Sequence, residues 1–106
     1  LERLVMKAKT VMAWRRNKPN ILIIAPPHIG EGLYLRPEGE AMGAGCPQKS
    51  RELALHFRTV AETQQCAFLD AEGIAEFNRL DCMHLNRNGH RQLAAALEQV
   101  VPGLFD

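Results

Sequence analysis

Asp81 and His84 stand three residues apart, just before a segment that opens Leu85-Asn86 and continues as an amphipathic stretch. At that spacing a carboxylate can accept from Nδ1–H of an imidazole within one turn of chain. The carboxylate then fixes the tautomer and stabilises the imidazolium, leaving Nε2 to take a proton from a nucleophilic hydroxyl and return it to a leaving group. On spacing alone, the same two residues also read as ordinary turn residues. Cys82 lies between them, where a thiol serving the pair from outside has no obvious geometry, so small buried packing is its expected role. A zinc site from Cys46, Cys66, Cys82 and His84 would lack any Cys-x-x-Cys knuckle, and no metal or other cofactor is expected. Ser50 is the sole serine, in Gln48-Lys49-Ser50-Arg51-Glu52 at the start of a helical pattern, where it should cap or lie exposed. His56 reads as a helix-surface residue, His90 as structural or exposed, and Trp14 and Phe57 as packing.

These residues need elements to hold them. Leu1, Leu4, Val5, Ala8, Val11 and Met12 recur at spacings of three and four, which predicts a helix from Leu1 to Arg16, stopped by Asn17, Pro19 and Asn20. Ile21 to Ala25 is an unbroken, largely β-branched apolar run closed by Pro26 and Pro27, the mark of a short strand buried on both faces. Residues 26–47 hold four of the six prolines and most of the glycines, and are expected to form a long irregular loop. Helical spacing resumes from Pro47 to Thr63, a second strand covers Cys66 to Leu69, and an irregular stretch, 71–86, leads to Asn86 as N-cap of a last helix ended by Pro102 and Gly103.

Helix, strand, loop, helix, strand, loop, helix is the order of a parallel α/β sheet. Both long loops then fall at the carboxyl ends of the strands, where ligands bind in such sheets. Two short strands apolar enough to be buried on both faces do not make a stable sheet alone, since three or more are usually needed. The expectation is part of a larger fold, completed by absent sequence, a second chain or strand addition in a homo-oligomer. That position 1 is Leu rather than Met fits this expectation.

Composition narrows the classes of function. With 106 residues, 46% hydrophobic and 24% charged, the chain has globular composition and is too short for two domains. A net charge of +1 gives no bulk electrostatic reason for nucleic acid or an anionic membrane as partner. Six of the 13 basic residues lie in the first 19 positions, read as a solvated helix face. No run of about 18 apolar residues and no leader-like N-terminus is present. Three cysteines, an odd number, fit reduced thiols, so the expected location is cytoplasmic.

Asp81-x-x-His84 followed by Leu85, Asn86, Asn88-Gly89-His90 and the Leu93-Ala94 helix resembles the final sequence block of the SGNH (GDSL-type) lipases and acylhydrolases. The strand Ile21 to Ala25 entering Pro26-Pro27 is similar to the penultimate strand of those enzymes, so the resemblance runs from about Leu4 to Val101. It implies a three-layer α/β/α, flavodoxin-like fold of which residues 1–106 are the C-terminal portion. It also implies His84 as catalytic base and Asp81 as the residue that orients it. His28, with Pro27 and Met83, would line the pocket for a small acyl-ester substrate. The family's serine, in a Gly-Asp-Ser motif, and the Gly and Asn of its oxyanion hole have no counterpart here. The implied function is an ester hydrolase fragment, inactive without the Gly-Asp-Ser segment. A different class remains open: a non-catalytic α/β remnant or interaction module that pairs through exposed strand edges. Residues 30–46, with Leu33, Tyr34, Leu35 and Met42, could serve as lid or subunit contact.

Overall fold

Four helices and two strands carry the chain, in a computed structural model that describes residues 1–14 and 18–105. Helix α1 spans Glu2–Lys9, strand β1 Leu22–Ala25, helix α2 Pro37–Met42, helix α3 Cys46–Thr63, strand β2 Ala67–Asp70 and helix α4 Arg87–Val100. The strands pair in parallel, Leu22 opposite Ala67 and Ala25 opposite Asp70. Their β-branched and aromatic side chains fit a pleated surface, and successive residues point to opposite faces.

That alternation builds layers. Ile23 packs with Val5 of α1 and Ala61 of α3, surrounded by Phe57, Val60 and Phe68. Its neighbour Ile24 faces the other way and shares a cavity with Leu93 of α4. Helices therefore cover both faces of the sheet, which is the expected α/β/α layering in partial form. Among the described residues, no third strand pairs with the outer edge of β1 or β2.

Helix α1 ends well before Arg16. The Thr10 hydroxyl donates to the Lys7 carbonyl at 2.7 Å and the Trp14 indole N–H to the Ala8 carbonyl at 2.7 Å, so side chains satisfy carbonyls that further helix would have used. Met12–Trp14 forms a 3-10 turn instead, and the expected helical residues Arg15 and Arg16, with the stop at Asn17, lie outside the described residues.

The 26–47 segment is more ordered than an irregular loop. A 3-10 turn, Glu31–Leu35, and α2 fold against each other, with Leu33 fully buried. Gly39 makes this possible, because a Cβ there would sit 2.3 Å from the Leu33 carbonyl oxygen. The segment is fastened at several points. The Ile29 N–H donates to Ser50 Oγ at 2.8 Å, the Gly30 N–H to the Cys82 carbonyl at 2.8 Å, and Arg36 to the Arg79 carbonyl at 2.8 Å. Ser50 is thus a tie between loop and α3 rather than a cap.

Candidate active site

The turn after β2 is organised by two side chains that imitate backbone. Asn78 Oδ1 accepts the N–H groups of Leu80 at 2.9 Å and Asp81 at 3.0 Å. Asp81 Oδ1 then accepts those of Met83 and His84, both at 2.9 Å. Such Asx turns offer the backbone a local alternative to helix or ladder. Holding both following N–H groups places Cys82 in the left-handed region, φ +56°, a conformation uncommon outside glycine. The residue is buried, its Cβ toward Gly30 and its thiol toward Gly32, which leaves it no access to a substrate.

The second Asp81 oxygen, Oδ2, lies 2.7 Å from His84 Nδ1. This contact fixes the proton on Nδ1 and leaves Nε2 as the acceptor. The His84 side chain is 75% exposed and that of Asp81 29%, so the imidazole stands in the open on a half-covered carboxylate. The His84 ring holds the Asp81 carboxyl well below the usual carboxylate range, with the His84 and Met83 N–H groups adding to the effect against the opposing influence of partial burial.

His84, Met83 and Pro27 meet on one cavity of about 340 Å³, whose floor is Ile24, Ala71 and Leu93. His28 is not brought there. Its backbone N–H donates to Glu72 Oε2 at 2.6 Å and its Nδ1 lies 3.7 Å from the same oxygen, so it turns toward Glu72. His90, read from the sequence as structural or exposed, is exposed and borders the same cavity as His84.

Glu76 is the residue that sequence reasoning missed. Its carboxylate accepts from the side-chain amides of Asn86 at 3.1 Å, Asn88 at 3.2 Å and Gln92 at 3.4 Å. These amides, Asn86 first, lower its pKa. A run of amide side chains at the start of a helix was the available signal, but it does not name its partner. Among the described residues no group of three or more His, Cys, Asp or Glu side chains could hold a metal ion.

No family model and no curated protein matches the chain. Among solved structures, a carbohydrate acetylesterase family member from Sinorhizobium meliloti is similar over 97% of this chain, with 30% identity and a TM-score of 0.82. The chain spans 48% of that protein's length. The fold is therefore that of part of an esterase, in agreement with the resemblance to SGNH-type esterases carried by the 81–94 block.

Proposed function

We propose that the chain supplies the general base of a serine-type carboxylic ester hydrolase of SGNH kind, completed by a segment bearing Gly-Asp-Ser and the oxyanion donors. The observation that carries this reading is the Asp81–His84 contact of 2.7 Å at the carboxyl end of a parallel sheet, with Nε2 free. The esterase likeness over half of the neighbour's length supports it.

In this reading Nε2 of His84 takes the serine proton as the hydroxyl oxygen attacks the ester carbonyl. The tetrahedral intermediate collapses, the alkoxide leaves, and the imidazolium returns the proton to it. Water repeats the cycle on the acyl-enzyme and releases the acid. Asp81 keeps the imidazole in the Nδ1–H tautomer and stabilises its cationic form. Pro27 and Met83 form the apolar wall for a small acyl group, of which an acetylated carbohydrate is the favoured source. Alone the chain has no serine free to attack. Ser50 is committed to the Ile29 N–H and the Pro47 carbonyl, the latter at 2.6 Å.

In this reading the completing segment adds to the free edge of β1. An apolar groove of about 280 Å³ follows the free edge of β1, between Leu4 and Ala8 of α1, Leu22 and Ile24 of β1, and Phe57 of α3. It fits an added strand. No helix of the described residues is long and apolar enough to cross a membrane, and Cys46, Cys66 and Cys82 are free thiols, as a cytoplasmic setting would keep them.

The test is reconstitution. The chain is assayed on a small acetyl ester, alone and with the polypeptide its upstream reading frame encodes, which this reading requires to carry Gly-Asp-Ser. Activity should require both parts, and His84→Ala should lower kcat by about 10²–10⁴-fold. Retained activity in that variant removes His84 from the base role. A complex that forms without hydrolysis supports the non-catalytic interaction module instead.

A further inference from the structure

His84 is too exposed for packing to orient it, so its position depends on the backbone that carries it. That backbone is the loop 76–86, and both of its ends meet at Glu76. The Asn86 N–H donates to the Glu76 carbonyl at 3.1 Å, and the Glu76 N–H donates to Gln92 Oε1 at 3.0 Å. Next along the loop, Phe77 and Leu85 form an antiparallel bridge, and the Asn78 N–H donates to the His84 carbonyl at 2.7 Å. The Glu76 carboxylate closes the neck from the side through Asn86, Asn88 and Gln92. The first turn of α4 lies so close that a Cβ on Gly89 would be 2.1 Å from the Glu76 carbonyl oxygen.

We propose that Glu76 is the positioning residue of the Asp81–His84 pair: its backbone and carboxylate clasp the neck of the 76–86 loop and so keep the imidazole on Asp81. This deepens the functional reading and rests on it for the completing segment and for the catalytic consequence. No substrate contact is assigned to Glu76.

The clasp demands a carboxylate in particular. Asn86 Oδ1 accepts the Gly89 N–H at 2.6 Å as the helix cap, so its Nδ2 must face Glu76. Gln92 Oε1 accepts the Glu76 N–H, so its Nε2 must face Glu76 too. Both Glu76 oxygens therefore meet a donor that cannot turn round without losing another bond. A glutamine there has one oxygen and one amino group, and in either orientation its amino group opposes a donor. Glu76→Gln preserves shape and still opens the clasp.

The same logic supplies a rescue. Adding Asn86→Asp to Glu76→Gln reverses the polarity of one pair. The new carboxylate at position 86 keeps one oxygen on the Gly89 N–H and offers the other to the glutamine amino group. The glutamine oxygen keeps Asn88 and Gln92.

The readout is the imidazole tautomer of His84, followed by ¹⁵N NMR at a pH where the ring is neutral, in the chain with its completing segment bound. The native protein should show a single Nδ1–H form, because Asp81 selects it. Glu76→Gln should lose that single signature and show both tautomers, and the double variant should regain it. If Glu76→Gln stays folded and keeps the single Nδ1–H form, or if the double variant is no nearer to native than the single one, the proposal is overturned. Should Glu76→Gln fail to fold, Asn88→Ala removes one of the three amides and leaves the cap intact. A shift toward mixed tautomers then supports the clasp, and an unchanged spectrum overturns it. In the reconstituted hydrolase the loss should fall on kcat, by about tenfold, with KM unchanged. Tautomer changes as stated in a protein that hydrolyses no ester would leave the clasp standing and remove the hydrolase reading.

Discussion

At the scale of single residues, the Asp81–His84 contact is legible because the two groups that touch are close in sequence. A spacing of three suffices for the side chains to meet, and Asp81 further ties the two N–H groups that follow it. His28 was not legible in the same way, since what decides its direction is Glu72, 44 positions away. Glu76 escaped for the same reason, with partners 10 to 16 residues downstream. The Asp81 bonds also set a pH dependence. Its folded pKa lies below the ordinary value of 3.8, so the stability it contributes is present above that value and is lost as pH falls through the folded pKa. Asp81→Asn should therefore be less stable than the native chain in urea unfolding at neutral pH. The gap should begin to narrow below about pH 4, where the unfolded chain takes up the proton first, and should close only as pH falls through the lower folded pKa. A gap that is constant with pH would mean that the carboxylate charge plays no part in the turn.

At the scale of elements, apolar pattern placed both strands, α3 and α4 within about a residue of their observed bounds, because β-branched runs and period-3.6 stripes report burial directly. Apolar spacing predicts a longer helix than α1 because the stop is made by side chains rather than by a breaker: the Trp14 indole reaches back to the Ala8 carbonyl, with no Gly or Pro at the boundary. The sequence predicts a loop where α2 forms, because Pro37, Gly39, Gly43 and Gly45 are breakers by type. Pro37 in fact begins the helix, and Gly39 is there for the contact its missing side chain permits. The same reasoning reverses the usual sign at Gly89. Alanine in place of a helical glycine ordinarily stabilises by about 0.5–1 kcal/mol. At Gly89 the added Cβ would collide with the Glu76 carbonyl, which is backbone and cannot move aside without opening the clasp. Gly89→Ala should therefore cost about 1–3 kcal/mol in thermal or urea unfolding. Gly103→Ala, where the added carbon meets nothing within 4 Å, is the control and should be close to neutral.

At the scale of the whole molecule, the shape is extended for the chain's length. The radius of gyration is 15.8 Å, with extents of 51 × 28 × 20 Å, whereas a compact chain of this length is expected at about 13 Å. Leu4, Val11, Met12, Leu35 and Leu80 are more than half exposed, as on a body that has yet to be covered. The open edge of β1 makes this testable at single amides. The Ala67 N–H bonds to the Ile21 carbonyl and the Ala71 N–H to the Ala25 carbonyl, so residues 21, 23 and 25 turn their backbone groups toward β2. The alternation of a parallel ladder then aims the N–H and C=O groups of Leu22 and Ile24 at the free edge. In the isolated chain the Leu22 and Ile24 amides should exchange with solvent deuterium much faster than those of Ile23 and Ala25. Binding of a completing strand should slow them to the rate of the rest of β1, since a paired strand exchanges only through wider opening. If they are already as protected as Ile23 in the isolated chain at every concentration, the edge is covered from within and the groove beside α1 is not where the sheet is completed. If protection rises with chain concentration alone, a second copy is the added strand, and the completing segment must compete with it for β1.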